Sequence, residues 1–386
     1  MSKQGGSTHA VVRRRVLAIG MYDSIHFARW LELFQHEDID FLLFPSSPHR
    51  RIHSGLQELL KSAGPASYRF APSTRFTGLP LWVLDRIFSN YFRSVFLSVL
   101  IRSFAPHIVH ALELQNAGYL AARSFQSLGS PKPVLIATNY GSDIFWFSRK
   151  TRHEKRLMGL LAKVDRYAAE CNRDVLLAKE LGFGGEVLPV QPNAGGFDRS
   201  LLDREPLRQN DRKIVMVKGY HGWVGRAHIA IQALESISTE LADYEIAVYS
   251  CNLSTKRLAR KMAKRTGLNV TAYSKGALSH DDMVEKFSRS IIYVGLSLSD
   301  GVSTSMLEAM AMGAIPVQTN TACCDEWFSD TGVAIRNLTV QDVALGIQKA
   351  IGLALTTDSA IKNRETIRAR ASREEIAKQA LTFYHL

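Results

Sequence analysis

The stretch SLSDGVSTSMLEAMAMGAIPVQTNT, Ser297 to Thr321, reads as loop, helix, glycine stop and buried strand. Asp300-Gly301 makes a flexible turn, and Ser303, Thr304 and Ser305 are N-cap residues for a helix running through Met312. Gly313 ends that helix in a left-handed conformation, and Ala314-Ile315-Pro316-Val317 opens the next strand. Asp300 and Glu308 stand eight residues apart, so one carboxylate lies in the loop and the other about two turns into the helix. Hydroxyls and unpaired N–H groups at a helix start bind anions. A carboxylate further along accepts hydrogen bonds from vicinal sugar hydroxyls, so the pattern suits a nucleotide-sugar, with diphosphate at the helix start and ribose beside Glu308. A capped amphipathic helix that only packs against a sheet has the same local sequence, and the rest of the chain must decide.

The chain has 386 residues, 46% hydrophobic and 22% charged, a globular composition with length for two domains. No apolar run of about 18 residues marks a spanning helix, and Val16–Gly20 is too short for a signal-peptide core. Cys171, Cys251, Cys323 and Cys324 match no zinc spacing and fit free thiols in a reducing cytosol. The net charge of +12 gathers at Arg13–Arg15, at Arg149, Lys150, Arg152, Lys155 and Arg156, and from Lys256 to Arg265. No nucleic-acid motif with interleaved aromatics accompanies these clusters, so nucleic acid is not an expected partner. A phosphate-rich substrate, an anionic membrane surface and solvated helix faces remain. Trp82–Phe104, apolar and aromatic with Arg86, Arg93 and Arg102, reads as a long amphipathic helix lying either on the protein's own sheet or in a bilayer interface. The expected location is cytoplasmic, with peripheral contact at the inner face of the membrane.

Short buried-strand patterns alternate with amphipathic helices throughout, the signature of an α/β chain with parallel sheets. Strands are expected at Val16–Gly20, Phe41–Phe44, Ile108–Ala111, Val134–Thr138 and Val187–Val190, with helices at Ser24–His36, Leu81–Phe104, Ala117–Leu128 and Thr151–Cys171. The pattern restarts at Lys213–Lys218 and continues with strands at Ile246–Ser250, Val270–Ala272, Ile291–Gly295, Ile315–Gln318 and Val333–Ile335. Its helices are expected at Gly225–Leu241, Lys256–Arg265, Asp281–Ser288, Ser305–Met312 and Val340–Leu353. Gln191–Asp211, rich in Pro, Asn, Gly and Asp, has the composition of a linker. Two doubly wound domains in series bind ligands at the C-terminal edges of their strands, and two facing edges make a cleft.

Four strand-end loops carry chemistry. After the first strand, Gly20 turns into a helix bearing His26, Arg29 and Trp30. Thr138-Asn139-Tyr140-Gly141-Ser142-Asp143-Ile144 projects Asp143 toward a cleft, and the Ile108 strand carries His110, which by itself reads more readily as a core histidine than as a catalyst. Val217-Lys218-Gly219-Tyr220-His221-Gly222-Trp223-Val224-Gly225-Arg226 joins a strand to a helix. Its glycines let backbone approach a ligand, and Lys218 and Arg226 can neutralise a diphosphate. It is neither a Walker loop nor a GxGxxG fingerprint.

Together these segments resemble the glycosyltransferases of family 4. The resemblance rests on SDGVSTSMLEAMAMGAIPVQTN, similar to that family's Glu-x7-Glu donor motif. VKGYHGWVGRA, the QPNAGGFD segment at Gln191–Asp198 and TNYGSDI at Thr138–Ile144 support it, over nearly the full length. It implies a GT-B architecture: residues 1–200 on the acceptor side, 201–365 on the donor side, and a C-terminal helix in 366–386 packing back on the first domain. It implies Glu308 on the ribose, and Gly20, Gly219, Asp300, Gly301, Val302, Ser303 and Thr304 around diphosphate and donor sugar. Asp143, Lys218, Arg226 and Asp300 form the implied catalytic set, with His26, Arg29, His110, Tyr140 and Ser142 on the acceptor side. The chain departs from the family pattern at Asp300, where glutamate is usual, and at Tyr140, where many relatives carry histidine. Lys218 then Arg226 replaces an Arg-then-Lys pair of closer spacing. The implied activity is a retaining hexosyl transfer without metal or other cofactor, from a UDP- or GDP-sugar to a glycan or lipid-linked acceptor in cell-surface polysaccharide synthesis. A catalytically silent nucleotide-sugar-binding protein of the same fold and a nucleotide-sugar epimerase are the alternative readings.

Overall fold

The computed structural model describes residues 13–47, 51–71, 83–85, 87–88 and 91–385. Seven strands, the central ones buried on both faces, organise the first half: β1 (Arg14–Gly20), β2 (Ile39–Pro45), β3 (Ser67–Phe70), β4 (Ile108–Leu112), β5 (Val134–Thr138), β6 (Arg166–Ala168) and β7 (Glu186–Val187). Their order is β3-β2-β1-β4-β5-β6-β7, and all pairs are parallel. Val16, Leu17, Ala18 and Ile19 are sealed from solvent, as a central strand covered by helices on both sides requires.

A second sheet follows from β8 (Ile214–Lys218), β9 (Glu245–Cys251), β10 (Asn269–Ser274), β11 (Ser290–Gly295), β12 (Ile315–Thr319) and β13 (Val333–Ile335). Its order, β10-β9-β8-β11-β12-β13, is that of a doubly wound Rossmann sheet, again wholly parallel.

Several expected elements are revised. The helix expected over Thr151–Cys171 stops at Leu161, and Arg166–Ala168 becomes β6, paired with Ile136–Thr138 of β5. The span's single glycine, Gly159, lies inside the helix, which runs through it to Leu161, and no proline follows; sheet pairing overrides the helix preference of the Ala and Glu residues beyond. The β3 strand and the helices Ser54–Leu59 and Asn172–Glu180 were not anticipated. Within the expected Leu81–Phe104 helix, Leu81, Trp82, Arg86, Ser89 and Asn90 lie outside the described residues. Its Tyr91–Phe104 part buries Arg93, Leu97, Leu100 and Ile101 and leaves Tyr91, Val95 and Val99 exposed.

The segment with linker composition is packed over its first part. Gln191, Asn193, Ala194 and Phe197 are buried, and Asn193 Nδ2 donates to Asn139 O at 3.0 Å. A second crossing runs beside it: Phe197 N donates to Ala371 O at 2.8 Å and Arg373 N to Phe197 O at 2.9 Å. The helix Ser359–Ala371 therefore serves the second domain, while Arg373–Phe383 returns to the first. There Tyr384 packs among Trp30, Phe34 and Phe41, and Trp30 Nε1 donates to its hydroxyl at 3.1 Å.

Candidate active site

Lys218 ends β8 with its Nζ 3.5 Å from Ser303 Oγ and 4.0 Å from Asp300 Oδ2. Burial works against its charge, but Tyr293, Asp300, Tyr220 and Glu308 outweigh that and raise its pKa. Ser303 occupies the N-cap of the helix Thr304–Ala311, yet no side chain caps the first turn. Its hydroxyl faces Lys218 and Tyr293 Oη, so an ammonium and the positive end of a helix point at one place. Gly313, with φ of +83°, ends the helix as expected.

Two turns along, Glu308 is almost buried, and burial pushes its carboxyl up to about 7 against the pull of Arg29 and Lys218. His280 Nδ1 lies 3.9 Å from Glu308 Oε1. Arg29 comes from the first domain, and its place opposite Glu308 has no counterpart in local sequence. Asp300 turns inward, Oδ1 accepting from Gly301 N at 3.0 Å, so the Gly301 amide is engaged by its own loop.

Glu170, which sequence reasoning missed, stands just past the end of β6. Its Oε1 accepts from Asn193 N at 3.1 Å and its Oε2 from Gly141 N at 3.3 Å. Burial and the neighbouring Asp300 push it up to about 8. Gly301 is glycine for this reason: a Cβ there would sit 2.6 Å from Glu170 Oε2. Recognition of β6 as a strand would have exposed Glu170 as a strand-end acid; inside an expected helix it stands with Glu154 and Asp165 as an ordinary helix-surface acid.

A cavity of about 560 Å³ lies between the domains, bringing together His26, Arg29, Tyr140, Glu170, Lys218, Asp300, Val302, Thr304, Ser305 and Glu308. A smaller one of about 250 Å³ continues past Lys218 to Ser142, Ser299 and Gln318. Tyr140 keeps its hydroxyl without a partner among the described residues. Burial, then Arg29, lower the pKa of His26, with Asp300 opposing. Ser142 Oγ reaches Ser299 O of the other domain at 3.4 Å.

Other candidates lie elsewhere. Asp143 lines neither cavity; its Oδ2 accepts from Leu114 N at 2.8 Å and Tyr140 N at 3.1 Å, clasping the loop from behind. His110 is core: fully buried, bonded to Tyr384 Oη at 2.9 Å and Thr138 Oγ1 at 2.6 Å, and lowered by burial to about 3. Arg226 donates to Gly222 O at 3.2 Å and Gly225 O at 2.8 Å, because its loop bridges Ser297 and folds on itself. Gly219 N donates to Tyr249 O at 2.7 Å, and Gly20 packs under the Phe27 ring, so both glycines admit the protein's own atoms rather than a ligand.

Cross-domain contacts hold the cleft in this form. Arg173 donates to Asp300 O at 2.8 Å and Thr321 O at 2.7 Å, and Trp223 lies 5.5 Å from Trp146 between ring centroids. Among the described residues no helix is long and apolar enough to cross a membrane.

No curated protein sequence matches the chain. Several solved structures share its fold over nearly all of its length. A glycosyltransferase from Rickettsia africae is 14% identical, covering 97% of this chain and 98% of that one, with a TM-score of 0.67. HepE from Anabaena, solved with UDP and glucose, is 14% identical, covering 96% and 99%, with a TM-score of 0.64. The α,α-trehalose 6-phosphate synthase from Burkholderia multivorans is 11% identical, covering 96% and 98%, with a TM-score of 0.68. The architecture is GT-B, and residues 198–370, which carry Lys218, Asp300 and Glu308, match the family model of glycosyl transferases group 1.

Proposed function

We propose that the protein moves a sugar from a nucleoside-diphosphate sugar to a hydroxyl acceptor, with retention of configuration and without a metal ion. The observation that carries this reading is the uncapped helix start at Thr304 with Lys218 above it and Glu308 two turns along, all in one interdomain cavity. The diphosphate lies against Lys218 and the first-turn amides, and Glu308 accepts from the ribose hydroxyls. As the sugar–phosphate bond breaks, charge grows on the departing phosphate oxygens, where Lys218 and the helix end stabilise it. The acceptor hydroxyl enters on the same face of the sugar and loses its proton to the departing oxygen, so positioning matters more than a strong protein base. His26, Tyr140 and Glu170 line the first-domain wall where that acceptor stands. The match of residues 198–370 and the UDP and glucose held by HepE support a nucleotide-sugar donor.

The acceptor in this proposal is a glycan or lipid-linked hydroxyl presented at an anionic membrane. Exposed Ile87, Phe88, Tyr91, Val95 and Val99 support it, beside a basic hollow lined by Arg123, Arg152, Arg156 and Lys163.

A thermal-shift screen against UDP, GDP, ADP and their sugars tests the reading. One nucleotide class should stabilise the protein, by roughly 2.7 kcal/mol at a hundred times its Kd, and Lys218→Ala should remove the shift. No stabilisation by any nucleotide would reject the proposal. Conversion of the donor sugar without any acceptor would point to an epimerase, and binding without turnover to a silent relative.

A further inference from the structure

The domain boundary also holds a thiol pair that sugar transfer does not use. Cys171 is the N-cap of the helix Asn172–Glu180 in the first domain, and Cys323 lies in the loop after β12 in the second. Both are buried, and their sulfurs stand 2.8 Å apart although 152 positions separate them in the chain. They sit inside a cross-domain clasp. The Glu326 carboxylate accepts from Asn172 N at 2.9 Å and from Asn172 Nδ2 at 2.8 Å, and Arg173 reaches across to Asp300 and Thr321. Cys324 turns away toward Gln318 O, and Cys251 packs in the core of the second domain.

The spacing discriminates between two bridging chemistries. Two thiolates on one tetrahedral zinc, each bonded at about 2.3 Å, stand roughly 3.7 Å apart, and the third nearby ligand, Glu326, is already spent on the helix start. Disulfide sulfurs stand about 2.0 Å apart, and the observed pair needs only a small approach.

We propose that Cys171 and Cys323 form a reversible disulfide across the domain boundary, fixing the loop after β12 against the first domain and, through Asp300 N donating to Thr321 O at 3.3 Å, the neighbouring Asp300 loop with it. The oxidant class is a hydroperoxide. One thiolate attacks a peroxide oxygen, the O–O bond breaks and water or an alcohol leaves, giving a sulfenic acid. The second thiolate attacks that sulfur, the S–O bond breaks and the oxygen leaves as water, so two thiols lose two electrons and two protons to the peroxide. In the closed arrangement the hydrogen bond to Cys323 and burial keep Cys171 protonated. Attack therefore belongs to moments when the domains part. Glu326 then leaves the helix start, and Cys171 remains at the amide end of that helix beside Arg173, a setting that favours thiolate. Reclosure delivers Cys323. This clasp is independent of what the cleft binds.

Full-length protein treated with hydrogen peroxide tests it. Non-reducing peptide mapping should find a peptide joining Cys171 to Cys323, and thiols titrated after denaturation should fall from four to two and return with dithiothreitol. Cys171→Ser and Cys323→Ser should each abolish that peptide. Hydrogen exchange of amides 299–305 should slow about tenfold on oxidation of the wild type and stay unchanged in either variant. A Cys323–Cys324 bridge, crosslinks only between chains, or one zinc per chain retained by the pair would overturn the proposal, as would a 171–323 bond that leaves exchange unaltered.

Discussion

Glu308 should make nucleotide-sugar affinity pH-dependent in a calculable way. Burial holds its carboxyl near 7, and only the ionised form accepts from both ribose hydroxyls. A group with that pKa is roughly 9% ionised at pH 6 and roughly 91% at pH 8. Apparent affinity scales with the competent fraction, so binding should tighten about tenfold across that interval, or ~1.4 kcal/mol. The probe should be a UDP-sugar, whose fully esterified diphosphate does not titrate in this range. Burial, with Arg29, holds His26 and His280 below the ordinary histidine value. Any protonation at pH 6 would favour the anion and work in the opposite sense. Isothermal titration of wild type and Glu308→Gln provides the comparison: the wild type should follow the tenfold rise, and the amide should bind weakly with a flat profile. A flat wild-type profile, or an equal slope in the variant, refutes the ribose assignment.

Four further outcomes follow from named contacts. Lys218→Ala should lower kcat by about 10²-fold or more through lost stabilisation of the leaving diphosphate, and a wild-type rate with every donor would remove Lys218 from the site. Gly301→Ala drives a methyl into Glu170 and should cost about 1–3 kcal/mol in a urea titration; an unchanged midpoint would mean that the loop yields freely. Asp143→Asn keeps an acceptor for Leu114 N and Tyr140 N and should fold and bind nucleotide normally, whereas Asp143→Ala strands two amides and should lose about 2–4 kcal/mol; equal stability of the two variants would contradict the clasp. Glu170 has a folded pKa near 8 against an ordinary 4.5, so the folded state holds its proton longer and wild-type stability falls as pH rises between those values. Glu170→Gln should therefore gain thermal midpoint relative to wild type as pH climbs from 5 to 8, and a gap constant with pH would dispose of that titration.

The legible part of this protein lay in runs of ten to thirty residues. Val134–Thr138 and Val333–Ile335 were read to the residue, and Ser303, Gly313 and Glu308 fell where the helix pattern put them. The errors also have local causes. Thr151–Cys171 has one glycine, Gly159, which the helix passes through, and nothing at the actual break after Leu161, so β6 and the acid beyond it were hidden. Asp143 and Arg226 sit in polar glycine loops, where sequence cannot say whether a charge faces a cleft or closes on its own backbone.

By itself the sequence determined two parallel α/β domains and the donor-side helix with its carboxylates, because periodicity, capping and glycine stops act within a turn or a strand. Only the tertiary structure decided that Arg29 confronts Glu308, that Glu170 presses on Gly301, that His110 belongs to the core and that Cys171 meets Cys323. Each of those meetings depends on how two sheets face one another, and no spacing along the chain records the packing that sets it.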